Sequence, residues 1–288
     1  MTSAFDTRPT GRRHRVKTKD GLDIEVREWG DPNGPEVLLI PGVAQSYLSF
    51  VKQYSAPEMQ KFRIVSYDPR GHGLSDKPLG NPLYQEGWRW SSEVRSVIDA
   101  LGLRRPVLAG WSLGGRIARQ YLVDCGDDGL SGVVFLSCRP VEVPQVLGHG
   151  NAILQNVDMD DCASRIDVAT AFLHNCFGKQ PETEEFIFAL AFNMLCPFEI
   201  RNQIGQWRTE PSVSEEALRR VKVPVLVVHG RQDILVLPEA ARITAELIPH
   251  AQVQWHDDCG HSPFFEDADQ FNAGFVDFVG SAWKRING

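Results

Sequence analysis

The sequence predicts an α/β protein: a mostly parallel, doubly wound sheet with an inserted helical cap. Three observations carry that prediction. Short apolar runs of strand length recur along the chain, amphipathic helical stripes alternate with them, and between Arg139 and Arg220 the strands stop while helical patterning continues. At 288 residues and 42% hydrophobic content, the chain is long enough for one large core carrying an insertion. The expected division is a sheet domain from 1–138 and 222–288, with a helical cap over 139–221.

The elements follow in order. Ile24 to Trp29 alternates like a half-exposed strand and enters the sheet antiparallel, whereas Val37 to Ile40 and Ile64 to Tyr67 are continuous apolar runs, as expected of strands covered on both faces. Val94, Val97, Ile98 and Leu101 fall on one helical stripe. A strand at Val107 to Gly110 leads to a second stripe of Ile117, Ala118, Tyr121 and Leu122, and Val133 to Leu136 forms the next strand. The insertion reads as helices over Ile166 to Phe177, Glu184 to Met194 and Glu215 to Val221. Val221-Lys222-Val223-Pro224 restarts the sheet, with strands at Val223 to Val228 and Val253 to Trp255, and Phe271, Phe275, Phe278 and Val279 mark a last helix. Ligands of open α/β sheets bind beyond the carboxyl ends of the strands, so a cap over that edge would build the substrate pocket. Phe172, Phe177, Phe186, Phe188, Phe192, Met194, Phe198 and Trp207 make this cap apolar, which predicts a small to medium hydrophobic substrate.

Composition excludes several classes. A net charge of −7 with acidic and basic residues interleaved argues against a nucleic-acid partner, and no run reaches the ~18 apolar residues that span a bilayer, so no membrane partner is expected. The six cysteines are scattered without CxxC pairs, which fits reduced thiols and a cytoplasmic location. Met1 to Arg13 lacks the apolar segment of a secretory signal and reads as a frayed leader. The expected partner is a small-molecule substrate.

Chemistry concentrates at Gly110-Trp111-Ser112-Leu113-Gly114, a Gly-x-Ser-x-Gly turn between an apolar strand and a helix. Such a turn strains the serine backbone, needs glycines two residues either side, and aims the helix N-terminus at the reacting centre. Ser112 is therefore the candidate nucleophile, and the amide of Leu113 the first oxyanion donor. Without the rest of the pattern, Ser112 would be an ordinary small residue in a tight turn. A serine nucleophile needs a base, and the base needs an orienting acid. Asp233 lies in the loop after the strand ending at Val228, and His261 in the loop before the last helix. The chain order is serine, acid, histidine. Asp233 has a plain alternative as a turn or capping residue, and His256 is a rival base. Asp257 and Asp258 also stand near His261, while the loop Ser137-Cys138-Arg139-Pro140 offers no acid. His256, Cys259 and His261 suggest a metal set only weakly, because no matching pair occurs elsewhere; no metal is expected.

With these motifs the chain resembles the α/β-hydrolase superfamily along nearly its whole length. Tyr67-Asp68-Pro69-Arg70-Gly71-His72-Gly73-Leu74-Ser75 resembles the family's strand-4 exit loop, with a structural His72, and Cys259-Gly260-His261 resembles its histidine loop. The elbow and the tail His261-Ser262-Pro263-Phe264-Phe265-Glu266 are similar to cofactor-free esterases, haloperoxidase-like perhydrolases and acyl-homoserine lactonases. The resemblance implies Ser112 as nucleophile, His261 as general base and then acid, Asp233 as orienter, and no cofactor. One departure stands out: the family's His-Gly pair after strand 3 is Pro41-Gly42 here. The backbone amide of Val43 still serves as the second oxyanion donor, since that role needs no particular side chain. Gly42 and Trp111 are expected at the substrate, with packing under the elbow as the other role for Trp111.

The activity implied is hydrolysis of an ester or lactone through an acyl-enzyme. The same three residues also suit perhydrolysis or carbon–carbon bond hydrolysis. A serine at this position counts against haloalkane dehalogenase and epoxide hydrolase, which place a carboxylate there. Two other classes stay open: a cofactor-free dioxygenase, which oxygen uptake would reveal, and a hydrolase-like ligand receptor, which ligand-dependent partner binding would reveal.

Overall fold

The computed structural model describes residues 11–80, 82–155 and 157–287. Its strands and helices are β1 (Arg12–Lys17), β2 (Asp23–Gly30), β3 (Glu36–Ile40), α1 (Val51–Tyr54), β4 (Arg63–Tyr67), α2 (Gly87–Leu101), β5 (Val107–Trp111), α3 (Leu113–Cys125) and β6 (Gly132–Leu136). Then follow α4 (Cys162–Asn175), α5 (Thr183–Asn193), α6 (Phe198–Gln206), α7 (Pro211–Arg219), β7 (Val225–Gly230), α8 (Glu239–Leu247), β8 (Gln252–His256), α9 (Pro263–Glu266) and α10 (Ala268–Asn287).

One sheet runs in the order β1-β2-β4-β3-β5-β6-β7-β8. β2 pairs antiparallel with β1 and β4, and every pairing from β4 to β8 is parallel. Alternation along the buried strands divides the core in two. Leu38 and Ile40 point to the face covered by Val94 and Val97 of α2 and Ile117 and Tyr121 of α3. Val37 and Leu39 point to the other face, against Phe271, Phe275 and Phe278 of α10. All three predicted helical stripes thus face the core. After β3 the chain steps one way to β4 and then back past β3 to β5, so the sheet order reverses between β3 and β5 and opens a crevice at their carboxyl ends.

Differences from the sequence reading lie at edges and boundaries. The expected leader ends earlier than Arg13: Arg12 and Arg13 belong to β1, opposite Glu28 and Arg27 of β2, while residues 1–10 lie outside the described residues. Only Val16 is buried in this charged edge strand, so it lacks a hydrophobic signal. α4 starts at Cys162 because the Asp161 carboxylate accepts the amides of Ala163 and Ser164, at 3.0 and 3.1 Å. α7 starts at Pro211, a residue suited to a first helical position, and β7 starts only after Pro224. α6 was not expected as a helix. Among the described residues no helix is long and apolar enough to cross a membrane.

The loop after β4 is a buried polar knot. Arg70 Nε donates to Glu93 Oε1 at 2.5 Å and its Nη1 to Asp20 Oδ2 at 2.9 Å, with Arg70 and Glu93 wholly buried. Burial pushes the Glu93 carboxyl up to about 7 despite this pairing. His72 Nδ1 meets the Arg70 carbonyl at 2.8 Å, and burial lowers its ring to about 4, consistent with a structural role. Asp68 accepts the amides of Tyr47 and Leu74 at 2.9 and 2.8 Å, which ties this loop to the one after β3. Replacing one partner of a buried pair strands the other charge. Arg70→Met is expected to cost about 3–5 kcal/mol in urea unfolding, and Arg70→Met with Glu93→Met to cost clearly less.

Candidate active site

The turn after β5 is forced by close backbone packing. Ser112 has φ 54° and ψ −111°. A Cβ on Gly110 would lie 2.2 Å from the Gly114 carbonyl oxygen, and one on Gly114 would lie 2.1 Å from that of Ile40. Side chains at either position would push α3 away from β3 and open the turn. Among the described residues three non-glycines have positive φ: Ala44, Ser112 and Ser137. Each stands just beyond the carboxyl end of a strand, respectively β3, β5 and β6. Strain of this kind costs of order 1–3 kcal/mol per residue, and it gathers where a site needs it.

Sequence-distant groups meet at this edge. His261 Nδ1 lies 2.7 Å from Asp233 Oδ2, and both side chains are buried. Asp233 Oδ1 accepts the amides of Leu235 and Val236, each at 2.9 Å. His229, at the end of β7, places Nε2 3.3 Å from Asp233 Oδ2 and 2.9 Å from the Val236 carbonyl. Burial alone would raise the Asp233 carboxyl; the His261 and His229 rings beside it outweigh that and hold it well below the usual carboxylate range. The rivals are placed elsewhere. His256 Nδ1 lies 3.2 Å from Asp267, and Asp257 engages Arg231 at 2.6 Å. His256, Cys259 and Asp267 bring three donor atoms within 4.8 Å of one another, but His261 is not in that group.

Ser112 and His261 share one cavity of about 490 Å³, with Leu113 and Val43 also on its wall. Apolar contributions come from Leu147, Leu154, Phe172, Phe198, Ile204 and Leu235. The cavity wall does not include Gly42 or Trp111. Gly42 instead passes over the elbow, where a Cβ would lie 3.3 Å from that of Ser112. Trp111 is directed to the opposite side: its Nε1 donates to the His261 carbonyl at 2.8 Å, and its ring meets Phe264 edge-on at 4.9 Å. It packs beneath the histidine loop, next to a separate cavity of about 40 Å³ lined by Phe188 and Phe192.

The histidine loop is also fastened to the segment after α4. One carboxylate, Glu266, accepts the amides of Gly260 and Ser262 at 3.0 and 3.1 Å, and those of Gly178 and Lys179 at 2.7 and 2.9 Å. The His261 amide donates to the Cys176 carbonyl at 3.0 Å. The acid loop is tied similarly, since Asn151 Nδ2 donates to the Leu235 carbonyl at 2.6 Å. Sequence reasoning did not single out His229, Glu266, or the cavity arginines Arg116, Arg139 and Arg201. Arg116 was findable, as it follows Ser112 by about one helical turn.

Comparison with known proteins agrees with this architecture. Residues 37–273 match the model of the alpha/beta hydrolase family, and the chain belongs to that family. A candidate aryl esterase from Burkholderia cenocepacia superposes with a TM-score of 0.90 at 33% identity, over 95% of this chain and 100% of that one. Esterase RhEst1 from Rhodococcus sp. ECU1013 superposes with a TM-score of 0.86 at 27% identity, covering 94% and 99%. The bifunctional esterase/perhydrolase DCH of Acinetobacter calcoaceticus is 23% identical over 92% of this chain and 99% of its own. The protein is a hydrolase of this family with esterase relatives.

Two outcomes test the geometry. Gly114→Ala should lose about 3 kcal/mol in urea unfolding, because the Ile40 carbonyl cannot move without disturbing β3. The Asp233 carboxyl, held low in the folded state, binds its proton less readily there than in the unfolded chain. Its contribution to stability is full above an unfolded pKa of about 4 and is lost as pH falls below it. The Tm advantage of wild type over Asp233→Asn should therefore shrink between about pH 5 and pH 2; a constant gap would contradict the placement.

Proposed function

We propose that the protein hydrolyses a carboxylic ester or lactone through an acyl-enzyme on Ser112. The observation that carries this reading is the joint placement of Ser112 and His261 on one cavity, with Asp233 bonded to the far nitrogen of the imidazole. In this mechanism the Ser112 hydroxyl attacks the scissile carbonyl while His261 Nε2 takes its proton. Asp233 keeps the other ring nitrogen protonated and stabilises the imidazolium that forms.

The oxyanion is held by two backbone N–H groups. Leu113 opens α3, so its amide lacks a helical acceptor one turn earlier, and the amide of Val43 makes no hydrogen bond among the described residues. Both residues border the cavity. His261 then protonates the leaving alcohol, and a water activated by the same ring releases the acid. α4 and α6 supply Phe172, Phe198 and Ile204 to the cavity, and act as part of a cap that limits water at the reacting centre. The cavity volume suits a small to medium substrate.

Ser112→Ala should lower ester turnover by about 10⁴-fold or more while the circular dichroism spectrum is retained. A fluorophosphonate should form one adduct, mapping to the peptide with Ser112. Undiminished turnover in the variant, or an adduct elsewhere, overturns the assignment.

A further inference from the structure

The cavity that holds Ser112 and His261 has three arginines on its wall, Arg116, Arg139 and Arg201, and no aspartate or glutamate among the described residues. This is unexpected in a chain of net charge −7. The three are not equivalent. Arg116 is engaged: its Nη2 donates to Glu142 Oε1 at 2.9 Å and to the Trp207 carbonyl at 2.8 Å. Arg119 takes the same carboxylate oxygen at 3.0 Å, so one acid serves two guanidinium groups. Arg201 donates through Nε to the Cys196 carbonyl at 3.0 Å and through Nη2 to the Asn193 carbonyl at 2.7 Å. Its Nη1 has no oxygen partner among the described residues, and the Cys196 thiol lies beside the guanidinium.

Arg139 has no hydrogen-bond or ion-pair partner among the described residues. Glu142 Oε2 is itself without one, yet the Arg139 side chain lies on the cavity wall and is not paired with it. Burial, reinforced by the charges of Arg116 and Arg208 and offset only in part by that of Glu142, pushes the Arg139 pKa down to about 10. Its backbone is well fixed. The preceding Cys138 packs so closely on α3 that a Cβ on Gly115 would fall 2.2 Å from its Sγ. Arg139 is thus held beside the first turn of α3, the helix that follows Ser112.

Holding a guanidinium without a direct partner, and only partly offset by Glu142, in a half-buried wall is unfavourable unless something else neutralises it, and a planar fork matches a carboxylate. We propose that the substrate is an anionic ester or lactone carrying a carboxylate remote from its scissile carbonyl, received by Arg139 with Arg201 Nη1 as a second donor. One free fork suits one carboxylate, and the apolar wall takes the chain between the two ends. The inference rests on the hydrolase reading of the same site.

The test compares matched substrates: mono-4-nitrophenyl glutarate against 4-nitrophenyl valerate, and 4-acetoxybenzoate against its methyl ester, so the carboxylate lies on either side of the scissile bond. Wild type should prefer the anionic member of at least one pair by about ten-fold or more in kcat/KM. Arg139→Gln should bring that ratio towards one, and Arg139→Lys should keep part of it. Equal turnover within both pairs, or a ratio unchanged in a folded Arg139→Gln variant, overturns the proposal. A binding readout on wild type covers a variant that fails to fold: glutarate should raise Tm and glutaramide should not, and equal effects of the two also overturn it. If Ser112 takes no fluorophosphonate and no ester is cleaved, the hydrolase reading fails, while the contrast between glutarate and glutaramide still decides whether the cavity receives a carboxylate.

Discussion

The contact of α3 with β3 through Gly114 is the constraint on which the rest of the site depends. No atom larger than hydrogen fits between that residue and the Ile40 carbonyl, and this closeness holds the Ser112 backbone at its strained positive φ. The hydroxyl-bearing residue, the first amide of α3 and the loop after β3 are positioned by one packing event. Gly115 continues it by admitting Cys138, which sets where the loop after β6 begins. A strained turn stable enough to persist needs a rigid surround, and the buried β3, β5 and β6 provide it.

Charge in the site is arranged by unequal partnership. Asp233 is over-supplied, with two rings and two amides around one carboxylate. Glu142 is over-subscribed, since Arg116 and Arg119 both need it. The first arrangement keeps a base oriented in the proposed mechanism. The second leaves the cavity net positive inside an acidic molecule, a distribution that draws anions to a focused spot rather than to the whole surface.

How much of this was legible in the sequence depended on whether a residue's role follows from its neighbours in the chain. Ser112 was visible because its glycines are two residues away on each side, and Asp233 and His261 because each follows an apolar strand in a fixed order. The buried strands were visible as continuous apolar runs. β1 was not, because Arg12–Lys17 is charged on both faces and is held by pairing with β2. Trp111 was ambiguous, since the direction of a side chain beside a strained turn is set by what lies beneath, here the carbonyl of a residue 150 positions away. Arg139 stands in the loop Ser137-Cys138-Arg139-Pro140, and a lone arginine there has no periodicity to betray it. Its surroundings come from α3, α6 and the loop after β6 together, a convergence that only the fold creates.

The Glu266 carboxylate has a mechanical consequence. It grips the loop bearing His261 and the start of the connection from α4 to α5 with the same two oxygens. Were the helices above the sheet to lift there as a rigid lid, they would drag the imidazole off its aspartate. An open molecule would then be a disarmed one, and ligand exchange through that corner would be incompatible with bond cleavage in the same instant.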